Sequence, residues 1–170
     1  MRFGTWNVRS LYRAGSFAAA SREQARYKLD LVNMQEVRWD REGTVRAGDY
    51  NIFYRKGNEN HQLGTEFFVY HRIVSSVKRA EFVSDRVSYI VLRGCSSYII
   101  VLNMLAPSEE KSDDSKDSVY EELEQVFDHF PEYHMKILLE DFNAKVGREN
   151  IFRLTIGNES LHQDSNDNGV

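Results

Sequence analysis

The sequence predicts an α/β fold: two packed β-sheets with helices on the outside. Short apolar runs bounded by glycine and polar clusters recur along the 170 residues and read as strands. Two segments carry helical spacing instead, and they lie among the strands rather than apart from them. With 41% of residues hydrophobic and 12% aromatic, the chain can bury a core, which excludes a disordered protein.

Phe3-Gly4-Thr5-Trp6-Asn7-Val8 is a first short strand of bulky residues. Ser16 is placed to cap a helix that runs through Ala18, Ala19 and Ala20 to about Tyr27, rich in Ala, Arg, Glu and Gln. Leu29 to Glu36 reads as the next strand, with Leu29, Leu31 and Asn33 on one face and Val32 and Met34 on the other. A polar loop containing Gly43 and Gly48 follows. Further strands are expected over 50–54, 64–71, 87–92 and 98–103, the last two joined through a turn at Gly94-Cys95-Ser96-Ser97.

Glu109 to Ser118 is charged and serine-rich and reads as a loop. It leads into a helix whose apolar face is Val119, Leu123, Val126 and Phe127, stopped by Phe130-Pro131. Residues 136–140 form a last short strand that runs into Asp141-Phe142-Asn143. No linker or composition break divides the chain, so a single domain over residues 1–170 is expected.

Composition narrows the setting. Two prolines and no repeats exclude collagen-like and solenoid architectures. No apolar run is long enough for a membrane-spanning helix, and the N-terminus has no secretory h-region. One cysteine, Cys95, cannot form an internal disulfide, so the expected compartment is intracellular and reducing. The net charge of −4 is uneven: Met1 to Arg93 holds 16 Lys and Arg against 10 Asp and Glu, and the remainder holds 6 against 16. A basic half can contact phosphates and an acidic half can host divalent cations, although such charges also simply solvate a surface.

Asn7, Glu36, Asp141 and Asn143 each stand where an apolar run ends. Open α/β sheets gather ligand sites at the carboxyl ends of strands, where the chain turns outward. Two carboxylates and two carboxamides are suitable chemistry for Mg²⁺ or Mn²⁺ beside a phosphate. Taken singly, each also reads as an ordinary turn residue or surface acid.

The words around them are more specific. Gly4-Thr5-Trp6-Asn7-Val8-Arg9-Ser10, Asp30-Leu31-Val32-Asn33-Met34-Gln35-Glu36-Val37-Arg38-Trp39 and Leu138-Leu139-Glu140-Asp141-Phe142-Asn143-Ala144-Lys145-Val146-Gly147 occur in this order. They resemble the endonuclease/exonuclease/phosphatase superfamily, and within it the apurinic-endonuclease-like domain of non-LTR retrotransposons, including element-derived copies of the craniofacial development protein 2 kind. Val101 to Glu109 and Ser165 to Gly169 fit further stretches of the same pattern.

The resemblance implies a four-layer α-β-β-α sandwich, incomplete at the C-terminus and missing its last strands. It implies Mg²⁺- or Mn²⁺-dependent phosphodiester hydrolysis on DNA, in a nuclear setting and away from membranes. Glu36 would be the principal metal carboxylate and Asn7 its support. Asp141 would orient the attacking water and Asn143 would hold the scissile phosphate. Arg9 and Arg38, inside the first two words, would contact phosphate or nucleic acid.

Four features depart from the family pattern. Glu140 stands where the family has glycine before Asp141, and strand alternation turns it away from Asp141 into packed space. Glu66 replaces another glycine. Leu105 occupies the place of a His or Tyr that reaches the phosphate. The terminal Asp-His pair of the family has no counterpart; Asp128-His129 lies on the amphipathic helix and reads as a surface pair. The expectation is therefore an impaired endonuclease prone to self-association through exposed sheet edges. The alternative is a catalytically inactive remnant that keeps the fold and weak nucleic-acid or protein binding. A small-phosphate phosphatase, also within the superfamily, is disfavoured by Trp39 and the retroelement-like wording after Asp141.

Overall fold

The structure, a computed structural model, describes residues 1–8, 15–35, 43–55, 64–107 and 113–141. Five of its strands make one sheet: β1 (Phe3–Asn7), β2 (Leu31–Gln35), β3 (Gly43–Ala47), β4 (Tyr50–Tyr54) and β5 (Thr65–Tyr70), in the order β1-β2-β5-β4-β3. Four make the other: β6 (Val77–Phe82), β7 (Val87–Arg93), β8 (Tyr98–Leu105) and β9 (Met135–Asp141), in that order. β1 with β2 and β8 with β9 are parallel, and the remaining pairs are antiparallel. A 3₁₀ turn, His71–Ser76, carries the chain from the first sheet to the second.

The sheets pack face to face over Leu31, Phe67, Val69, Ile90, Leu92 and Val101, all fully buried. Helix α1 (Ser16–Tyr27) lies on the outer face of the first sheet, where Ala20 joins Val32, Met34, Ile52 and Phe68. Helix α2 (Asp113–His129) covers the outer face of the second, setting Val119, Leu123 and Val126 against Tyr89, Ile100, Leu102 and Met104. These are the four layers, α-β-β-α, that the sequence predicts, because each sheet has apolar side chains on both faces and needs cover on both.

Several boundaries differ from the sequence reading. α2 begins at Asp113, inside the stretch read as loop; acidic residues suit the positive end of a helix. Its buried stripe continues from Val126 to Phe130, three to four residues apart, so Phe127 is turned out and 43% exposed. There it lies under the Lys136 ammonium, 4.1 Å from the ring centre. Ser16 is the first helical residue of α1 rather than its cap. Gly15 takes the capping position at φ 86°, a left-handed geometry suited to glycine. β3 occupies the expected polar loop, and β6, unpredicted, packs half-buried Val77, Ala80 and Phe82 against the core while Lys78, Arg79 and Glu81 stay exposed.

Candidate functional site

Every sheet strand named for the site finishes at one end of the sandwich. β1 ends at Asn7, which pairs in register with Gln35, the last residue of β2. Gln35 also pairs with Thr65 at the start of β5. In the other sheet β9 ends at Asp141, in register with Leu105 at the end of β8. β1 lies against β9 and β2 against β8, so these ends meet across the sandwich. Asn7 is half-buried, and neighbouring Trp6 on β1 is 41% exposed. Position 141 is two residues beyond Leu139, which packs between the sheets. Glu36, Arg9, Arg38 and Asn143 lie outside the described residues, as does the side chain of Asp141. Trp39 does too.

Beneath this end runs a line of buried polar side chains that the sequence reading did not single out. The Gln35 amide donates to Asn103 Oδ1 at 2.9 Å and to Thr5 Oγ1 at 2.8 Å, tying β2 to β8 and to β1. Asn103 in turn donates to the Met34 carbonyl at 3.4 Å, and Asn33 donates to the Leu102 carbonyl at 3.3 Å. One strand along, the Thr65 hydroxyl donates to Ser88 Oγ at 2.7 Å, joining β5 to β7. Asn33, Gln35, Ser88 and Asn103 have no exposed surface. The signal that could have found them is an amide or hydroxyl at an inward position of an apolar strand.

Three charged side chains, Arg86, Glu140 and Glu66, complete the electrostatics. The turn between β6 and β7 is fixed by Ser84, which donates to Glu122 of α2 at 2.8 Å and accepts from the Arg86 and Val87 amides. Arg86 donates to the Leu105 carbonyl at 3.2 Å, and burial lowers its guanidinium below the usual range while Asp85 opposes that shift. Leu105 itself is buried, 1% exposed. Glu140 is half-buried on the α2 face of β9, where its charge, second to burial, raises the Tyr120 hydroxyl. Glu66 is fully buried on the outer face of the first sheet, beside Met34 and Tyr54, and burial holds its carboxyl well above the ordinary range. Among the described residues no three His, Cys, Asp or Glu side chains gather as a metal cluster. Nor is any helix among them long and apolar enough to cross a membrane.

No protein-family model matches the chain. It is 25% identical over 152 residues to craniofacial development protein 2 of Tragulus javanicus and of Bos taurus, a match covering 89% of this chain but 26% of those proteins. It superposes on an AP endonuclease from Leishmania major with a TM-score of 0.62 at 17% identity, covering 86% of this chain and 55% of that one. The endonuclease domain of TRAS1, a telomere-specific non-LTR retrotransposon, gives 0.58 at 14% identity over 97% of this chain and 65% of that one. An endonuclease/exonuclease/phosphatase family protein from Leptotrichia buccalis gives 0.55 at 16% identity over 85% and 67%. The fold is the endonuclease/exonuclease/phosphatase fold. In this chain the parallel pairs β1-β2 and β8-β9 end at Asn7 and Asp141.

Proposed function

We propose that the chain is a divalent-metal-dependent phosphodiesterase that nicks DNA in the nucleus, an endonuclease of the non-LTR retrotransposon kind, acting as a single domain over residues 1–170. One observation carries the reading. β1, β2 and β9 stop at the same end of the sandwich, at Asn7, one residue before Glu36, and at Asp141. Support comes from the fold neighbours, whose names describe an AP endonuclease and the endonuclease domain of a non-LTR retrotransposon.

The donor set fits a hard cation: Asn7, Glu36 and Asp141 offer oxygen alone, with no thiol or imidazole among them. Bound there, Mg²⁺ or Mn²⁺ would supply positive charge to the phosphoryl oxygens. In this proposal Glu36 holds the metal and Asn7 supports it. Asp141 accepts the proton of the attacking water as the new P–O bond forms, and the opposite P–O bond breaks with its electron pair on the leaving sugar oxygen, which takes a proton from solvent. The Asn143 carboxamide donates to a phosphate oxygen, and Arg9 and Arg38 neutralise flanking phosphates.

A second reading, a fold kept without cleavage, is favoured by Leu105. It is buried at the end of β8, beside Asp141 in register, and brings no polar group to the phosphate. Relaxation of supercoiled plasmid separates the two. Nicking by the intact chain should require Mg²⁺, stop with EDTA, and fall by at least about 10²-fold in Glu36→Ala. Plasmid left supercoiled by the intact chain in Mg²⁺ would make it the inactive form. We also propose self-association through the outer strands of the described sheets, β1 and β9 among them. Gel filtration at rising concentration should then show earlier elution, and a constant monomer volume would exclude it.

A further inference from the structure

We infer that Gln35 and Asn103 are positioning residues: their hydrogen bond locks the two sheets together directly beneath the strand ends and sets the spacing of the metal-binding groups. The inference rests on the proposed function, because it concerns the same site.

Apolar burial is non-directional, so packing alone specifies the register of two facing sheets less sharply than a directional contact does. Hydrogen bonds are directional and fix register. Here the lower rungs of the interior are apolar, and the polar contacts concentrate in the last rungs before the site. Gln35 is fixed from two sides, by Asn103 at 2.9 Å and by Thr5 at 2.8 Å, so its backbone is held relative to β8 and β1 together. Asn103 is fixed in return by the Met34 carbonyl at 3.4 Å, and Asn33 repeats that crossing in the opposite sense to the Leu102 carbonyl.

The chain position after Gln35 is Glu36, and the strand beside β8 is β9, which ends at Asp141. Glu36 thus follows the last residue of a strand in one sheet, and Asp141 ends a strand in the other. Among the described residues the Gln35–Asn103 bond is the side-chain link from β2 to β8 nearest to both strand ends. Groups one step removed from a metal ligand commonly change metal affinity or activity by about 10–100-fold. An amide pair whose work was stability alone would be replaceable by an apolar pair of similar volume without effect on the site.

That difference supplies the test. Gln35→Met/Asn103→Leu removes both partners together, so neither amide is left buried and alone, and its urea midpoint should stay near that of the parent chain. Its affinity for Mn²⁺, read by electron paramagnetic resonance on the intact chain without DNA, should weaken by about tenfold or more. The Mg²⁺ concentration for half-maximal nicking should rise in step, with KM for DNA unchanged. Thr5→Val, at an exposed position, removes the second partner of Gln35 and should weaken Mn²⁺ in the same direction by a smaller factor. It decides the question if the double variant does not fold. Unchanged Mn²⁺ affinity in a folded double variant, or in Thr5→Val alone if the double variant fails, would overturn the inference. Glu36→Ala keeps the two readings apart. Mn²⁺ binding lost in Glu36→Ala but kept in the amide variants defeats the inference alone. An intact chain that binds no Mn²⁺ defeats both.

Discussion

Glu66→Gln should flatten the pH dependence of stability, and the gap between this variant and the parent chain should widen as pH rises. Glu66 is 1% exposed, and neither carboxylate oxygen meets a hydrogen-bond donor among the described residues. Its neighbours on the outer face of the first sheet are Met34 and Tyr54, its partners in register on β2 and β4. Burial penalises the charged form, so the folded chain holds this proton more tightly than the unfolded chain does. Folding therefore takes up a proton at any pH between the unfolded value, about 4.3, and the raised folded value. Below that window the carboxylic acid is neutral in both states and stability is intact. Through the window stability falls as pH rises, by about 1.4 kcal/mol per unit, and above the folded value the loss is complete. Urea titrations at pH 5, 6, 7 and 8 on both chains check it. Parallel curves would mean that Glu66 keeps its charge inside the fold. Glu66→Leu, which adds no polar group to the same space, should be more stable than the parent at pH 7 and above.

The elements buried on one scale of pattern were legible, and those defined by position in the sheet were not. Val87–Arg93 and Tyr98–Leu105 are central strands buried on both faces, and their unbroken apolar runs announce them. β3 and β6 are outer strands of the described sheets, so their alternation is diluted by charges such as Arg46, Lys78 and Glu81. The site follows the same division. Asn7 and Asp141 end their strands as expected, because an apolar run must stop where the chain leaves the core. The amides at Asn33, Gln35 and Asn103 stayed hidden, since a polar residue in a strand reads as facing water until both faces are known to be covered. Glu66 shows the limit from the other side. The resemblance marked it as a departure from glycine, but only its full burial on the outer face of the first sheet, beside Met34 and Tyr54, turns that departure into an energetic cost.

Phe67→Ala should lose about 3–5 kcal/mol of stability. Phe67 directly follows Glu66 on β5 and faces the opposite way, into the space between the sheets, with no exposed surface. Its ring lies 6.0 Å from that of Phe82 at 51°, bridging β5 to β6, and Leu31, Val69, Ile90 and Val101 belong to the same cluster. Removing the ring takes away its contacts and leaves a cavity that close-packed neighbours on two sheets fill only in part. For a domain of this size the loss corresponds to roughly 10–15 °C in melting temperature. Because Phe67 lies one inward position below Thr65 and Gln35, in register with Asn33 and away from the Gln35–Asn103 bond, the molecules that remain folded should bind Mn²⁺ as the parent does. Thermal unfolding by circular dichroism measures the first effect, and Mn²⁺ titration well below the melting temperature measures the second. A loss under about 1 kcal/mol would mean that the sheets close over the gap. Weakened Mn²⁺ binding in folded molecules would mean that the apolar rungs, and not the amides alone, set the spacing of the strand ends.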